Sequence, residues 1–124
     1  MEMSMMVSSK LLSKTDIADR LVMETCILNH LPNFPSGQNY QTLSLEDEEG
    51  QIRRFTLTIR NGKHKKPLLS AGWRPFVHEK NLQQGYKVEF FKIPDEVSGE
   101  SRYKIKLKKP LVVFNKALDY VPLS

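Results

Sequence analysis

The stretch Leu68–Phe91, LLSAGWRPFVHEKNLQQGYKVEFF, constrains the fold more than any other part of the chain. It reads as a strand end, a Gly-Trp corner, one short helix, a tight turn and a buried strand. Trp73, Phe76 and Val77 stand at i, i+3 and i+4, so they share one face of a short helix. Pro75 fits the first helical turn, where its missing N–H costs little. Lys80 and Asn81 end the helix, and Leu82 plugs the space beside it. In Gln83-Gln84-Gly85 the glycine supplies a positive φ for the turn. Val88, Phe90 and Phe91 then bring strand-type bulk. Trp73 is the only tryptophan, and its size makes it the expected anchor of the core.

The rest of the chain reads as short strands between turns. Lys10-Leu11-Leu12 opens the ordered part, after a Met/Ser-rich arm over residues 1–9. Ser13 and Thr15 are N-cap candidates, and Asp16 three residues after Ser13 completes a capping box with a short acid. Leu21-Val22-Met23 returns to strand character. Thr25 is a second N-cap candidate for a helix carrying Ile27, Leu28 and Leu31, which Pro32 stops. Leu43 and Leu45 alternate inward, and Glu46 to Gly50 is an acidic turn. Phe55, Leu57 and Ile59 alternate with Arg54, Thr56 and Thr58, as a half-buried antiparallel strand does. Asn61-Gly62 signals a hairpin turn. Tyr103, Ile105 and Leu107 alternate with Lys104, Lys106 and Lys108. Pro110 is expected to interrupt, leaving Leu111–Phe114 as one more edge strand and 115–124 as a tail. Many short strands with few helices predict an all-β barrel or sandwich.

Composition removes several classes of function. At 124 residues the chain is sized for one domain. No apolar run approaches the ~18 residues a membrane helix needs. The start, MEMSMMVSS, lacks the basic and apolar regions of a signal peptide. Cys26 stands alone, which excludes an internal disulfide and reads as an inert, partly buried thiol. His30, His64 and His78 have no Cys or acid at ligand spacing, so no metal or other cofactor is expected. There is no nucleophile elbow, P-loop or dinucleotide-binding glycine pattern, so the chain does not read as an enzyme. Asp47, Glu48 and Glu49 are expected to be solvated turn acids.

The one charge feature that points to a partner is Arg60–Lys66, RNGKHKK. Arg60, Lys63, His64, Lys65 and Lys66 lie within seven residues, in a chain of net charge +5. Cations there would neutralise phosphates and release counterions. The residues alone leave open a solvated loop whose charge serves only solubility.

The ordered set of motifs resembles the plant B3 DNA-binding domain family. The Gly-Trp corner, the apolar helix face, Lys80-x-Leu82 and the Gly turn feeding a V-x-F strand carry the resemblance. LLSKTDIADRL (Leu11–Leu21) and LSLEDEEGQIRRFTLTIR (Leu43–Arg60) extend it over roughly residues 10–108. Two positions depart from the family pattern. Tyr86 stands where an Asp usually follows the turn glycine, and Arg53 where a Trp is usual.

The resemblance implies an open β-barrel (pseudobarrel) of about seven strands with two short helices, near 25–31 and 73–80, in a domain spanning 10–114. It implies a transcription regulator that binds double-stranded DNA in the nucleus, with the short KHKK run as weak further support, and with no membrane and no small-molecule substrate. Two arms would clamp the major groove. The N-arm, Ser13–Leu21, carries Lys14, Thr15, Asp19 and Arg20. The C-arm is the hairpin. Lys14, Arg20, Arg60, Lys63 and Lys65 would hold phosphates, with Thr15 donating to one. Asp19 counts among the arm's DNA-binding residues, although its place beside Arg20 alone reads as an acid that orients that side chain. Asn61, His64 and Lys66 would reach base edges. Lys104, Lys106, Lys108 and Lys109 read as a solvated strand face. The alternative is a B3-like interaction module without specific DNA binding, associating with other regulators or with itself through Leu111–Phe114, Tyr120 and Val121.

Overall fold

A computed structural model describes residues 4–60, 66–95, 97–113 and 116–123, the side chains of 113 and 116–118 apart. The strands are β1 (Met5–Leu11), β2 (Leu21–Val22), β3 (Tyr40–Glu46), β4 (Ile52–Ile59), β5 (Pro67–Leu69), β6 (Lys87–Pro94), β7 (Ser101–Val113) and β8 (Lys116–Pro122). Helix α1 spans Lys14–Ala18 and α2 spans Trp73–Lys80, with a 3₁₀ turn at Thr25–Asn29 between β2 and β3. The strands form one sheet in the order β1-β6-β7-β3-β4-β5-β2, and β8 pairs with β7. Among the described residues all pairings are antiparallel except a single parallel bridge, Glu46 to Lys104, between β3 and β7. The sheet curls into a half-barrel. Its two end strands approach where the Lys10 ammonium donates to the Val22 carbonyl at 2.6 Å.

Alternation fills the inside as the sequence predicts. Leu43, Leu45, Phe55, Leu57, Val88, Phe90, Ile105 and Leu107 are buried in one cluster. Trp73 is fully buried. Its ring lies 6.4 Å from Phe55 and 6.0 Å from Phe76, and Phe55 meets Phe76 edge-on at 5.6 Å. Burying three rings at such separations adds packing beyond area alone.

The Gly-Trp corner has a steric cause. Gly72 has φ +91°, and a Cβ built there would lie 2.5 Å from the Arg54 carbonyl oxygen. Only glycine lets the chain pass so close to β4 before turning into α2. The far end of α2 closes as a Schellman motif. Asn81 takes a left-handed conformation, with φ 53°. Its N–H donates to the His78 carbonyl at 3.3 Å, and the Leu82 N–H to Val77 at 3.0 Å. Leu82 is buried as the accompanying apolar contact. Lys80-Asn81-Leu82 is therefore a helix stop with a mechanism.

Several expectations are corrected. Residues 5–9 are not a loose arm, because β1 begins at Met5 and pairs with β6 from Met5↔Lys92. The expected tail contains β8. Pro110 does not interrupt β7: past Lys108 the β6 ladder has ended, so residue 110 serves one neighbour, β8, and the missing N–H is tolerated. The helix expected at 25–31 is a five-residue 3₁₀ turn. Its N-cap is Glu24, without a side-chain bond, rather than Thr25. Cys26 is exposed.

The acidic turn is also not simply solvated. Asp47 is only 6% exposed. Its carboxylate accepts from the N–H groups of Glu49 and Gln51, both at 2.9 Å, and from Arg53 Nε at 2.9 Å. Glu48 accepts the Leu107 N–H at 2.7 Å, and Glu49 accepts from Lys80 at 3.0 Å. Arg53 explains its own place. Its guanidinium lies 5.6 Å from the Phe76 ring centroid and pairs with Glu79 at 2.6 Å. A planar cation thus covers α2, at the position where the resemblance expects Trp, and it ties the turn to the helix. The Tyr86 ring packs partly buried against the core.

This turn predicts a pH dependence. Burial raises the Asp47 pKa, but hydrogen bonds from Arg53, Gln51 and Glu49 outweigh it and hold the carboxyl below the ordinary value. A folded-state pKa below the unfolded one stabilises the fold above the unfolded value of about 3.9. That contribution is lost as pH falls through the folded pKa. Asp47→Asn is therefore expected to be less stable at neutral pH and to lose less on acidification below about pH 4. Urea unfolding of both forms across this range checks it; parallel curves would contradict it.

Candidate nucleic-acid interface

The N-arm is built from one buried carboxylate. Ser13 caps α1 by accepting from the Asp16 N–H at 3.2 Å, and Asp16 Oδ2 accepts the Ser13 N–H at 2.8 Å. The capping box legible in the sequence therefore forms. The other oxygen, Oδ1, accepts from Lys10 Nζ at 3.0 Å and from the Val22 N–H at 3.3 Å. Asp16 is 1% exposed. One side chain thus ties the start of the arm, at Ser13, to its end, at Val22. The Trp73 indole N–H donates to the Asp16 carbonyl at 2.7 Å, fixing the same residue to the core anchor. The arm is preorganised from both directions.

On this support, Lys14, Thr15 and Asp19 are exposed and Arg20 is half-buried. Arg20 Nε lies 3.8 Å from Asp19 Oδ2, an ion pair between sequence neighbours.

The second arm springs from β4 and β5. Their last paired residues are Ile59 and Pro67, so residues 60–66 form the connection of a hairpin. Arg60 and Lys66, at its two ends, are exposed. Asn61, Lys63, His64 and Lys65 lie outside the described residues. β5 also pairs with β2, Leu69 opposite Leu21 and Leu68 opposite Val22, and the Met23 N–H donates to the Pro67 carbonyl at 2.9 Å. The strand leaving the first arm is thus hydrogen-bonded to the strand leaving the hairpin. Arg20 and Lys66 flank opposite ends of this short ladder, so the arm bases stand on the order of 10 Å apart along the strands.

The basic stripe on β7 behaves differently. Lys108 lies 3.3 Å from Glu89 Oε1, Lys87 lies 3.9 Å from Glu89 Oε2, and Lys104 lies 3.9 Å from Glu46. Lys106 sits 4.8 Å over the Phe91 ring and Lys87 5.5 Å over Tyr120. Acids and rings of its own sheet engage these charges, as suits the solvated face predicted for the stripe. Lys10 and the Asp16 carboxylate are the parts of the site that the sequence reading missed. Ser13-x-x-Asp16 was visible as a cap, but contact with Lys10 and Val22 needs the curled sheet. Among the described residues no His, Cys, Asp or Glu cluster is placed to hold a metal ion.

No family model matches the chain. It is 33% identical over 104 residues to the B3 domain-containing transcription factor NGA4 of Arabidopsis thaliana, covering 77% of this chain and 30% of that protein. Among solved structures, the fold is similar to the Arabidopsis FUS3–DNA complex, with a TM-score of 0.63 at 17% identity, covering 82% of this chain and 96% of that one. The Arabidopsis thaliana LEC2–DNA complex gives a TM-score of 0.65 at 13% identity, covering 84% and 95%. A hypothetical Arabidopsis thaliana protein gives 0.54 at 20% identity, covering 88% and 92%.

Proposed function

Since the chain is a divergent member of the plant B3 domain family, we propose that it binds double-stranded DNA as the DNA-reading part of a nuclear transcription regulator, without catalysis. The observation that carries this reading is the β2–β5 ladder, which ties the bases of the N-arm and the basic hairpin to one edge of the half-barrel. Both arms then enter the major groove together. Lys14, Arg20, Arg60, Lys63 and Lys65 neutralise phosphates, and Thr15 donates a hydrogen bond to one. Asn61, His64 and Lys66 meet base edges, where donor and acceptor patterns distinguish the base pairs. Asp19 holds Arg20 in place. Rigidity matters here because an arm already ordered loses less entropy on binding.

The two departures from the family pattern are compatible with this reading. Arg53 lies over the Phe76 ring at the start of β4, and the hairpin follows the end of that strand, roughly 20 Å away. Tyr86 packs on the core. Neither residue removes an arm.

The test is a titration of duplex DNA at several salt concentrations. Engagement of about five phosphates predicts that log K falls against log salt with a slope of about −4 to −5. A folded protein with no measurable affinity, or a slope near zero, would overturn the reading in favour of an interaction module.

A further inference from the structure

Past Ile52 at its start, which is exposed and pairs with Glu46, the outward residues of β4 are Arg54, Thr56 and Thr58, alternating with the buried Phe55 and Leu57. Their neighbours on β3 are Ser44, Thr42 and Tyr40, in that order. Tyr40, Thr42, Ser44 and Arg54 are exposed, and the two β4 threonines are half-buried. This patch therefore presents hydroxyl groups and a guanidinium. The acid that β3 carries on this side, Glu46, lies at the far end, with Lys104 3.9 Å away. The same strand runs on into Arg60 at the base of the hairpin. Successive outward residues are about 7 Å apart, so Arg54 and Arg60 bracket a row of roughly 20 Å.

The contrast with the β6–β7 face is chemical. There every lysine from 104 to 108 meets a carboxylate or an aromatic ring of its own sheet. On the β3–β4 patch the side chains are those that bind phosphate oxygens: hydroxyl donors and a forked guanidinium. We propose that the outer face of β3 and β4 is a second backbone-contact track, which carries the grip of the hairpin onto phosphates flanking the site. This rests on the DNA-binding reading above. The track positions the duplex and reads no bases, because hydroxyl and guanidinium contacts to phosphates carry no sequence information directly.

The experiment compares the wild type with Arg54→Glu and Thr42→Glu, all shown to be folded by circular dichroism. Lys106→Glu, on the opposite kind of face, is the charge-matched control. On a long duplex, Arg54→Glu and Thr42→Glu should each weaken binding about 3- to 10-fold, and Arg54→Glu should reduce the salt slope by about one. The control should stay within about twofold. Trimming the duplex from its ends should bring the wild type down to the affinity of Arg54→Glu, after which the two should be equal. If the wild type binds DNA but Arg54→Glu and Thr42→Glu match it on every duplex, the track does not exist and the DNA-binding reading stands. Equal weakening by Lys106→Glu would show a general charge effect and overturn the track too. Failure of the wild type to bind any duplex would remove the DNA-binding reading, and the track with it.

Discussion

Trp73→Ala is expected to destabilise the protein by about 3–5 kcal/mol, the range for truncating a large aromatic side chain in a packed core. The side chain is fully buried between Phe55 and Phe76, so the space it leaves has rigid walls on two sides. The indole N–H also satisfies the Asp16 carbonyl, and its removal strands a buried acceptor, worth about 1–3 kcal/mol. Trp73→Phe separates these effects, since it keeps a ring and deletes the N–H. It should cost less than the alanine variant and still loosen α1, because Asp16 carries the hydrogen bonds that close the N-arm. DNA affinity of the folded Trp73→Phe protein should therefore fall as well. Chemical denaturation decides the first part: a loss under about 1 kcal/mol for the alanine variant would mean that Trp73 does not anchor the core.

The parts of this fold that were legible in the sequence are those set by local chemistry. Trp73, Phe76 and Val77 share a buried helix face because their spacing leaves no other arrangement. Phe55 and Leu57 are inside because a strand alternates. Ser13 and Asp16 form their box within one turn. What was not legible depends on partners distant in the chain. β1 starts at Met5 because β6 offers a ladder there, although MMVSSKL carries no strong strand pattern. β7 continues through Pro110 because only one neighbour remains to be paired. Asp47 is buried because Arg53 reaches back to it and across to Glu79, a contact between a turn, a strand and a helix. For the candidate site, charge singled out the hairpin Arg60–Lys66, whereas the first arm came only with the family resemblance. The tether that shapes that first arm, Lys10 to Asp16 to Val22, exists only once the sheet has curled.

If the hairpin 60–66 and the N-arm grip duplex DNA as proposed, phosphate and base contacts have separable effects. Replacing Lys63 or Lys65 by alanine should weaken all duplexes alike and reduce the salt slope by about one each, since a phosphate contact carries charge but no sequence information. Replacing Asn61, His64 or Lys66 should instead change which duplexes are preferred, because a base contact discriminates by about 1–3 kcal/mol. The most direct measurement is binding of each of the five variants to a pool of random duplexes, followed by sequencing of the bound fraction and salt titration of its best members. Lys63→Ala and Lys65→Ala should show an unchanged preference with a shallower slope, and Asn61→Ala, His64→Ala and Lys66→Ala an altered preference. A folded protein whose affinity, slope and preference are unmoved by all five substitutions would contradict the proposed grip.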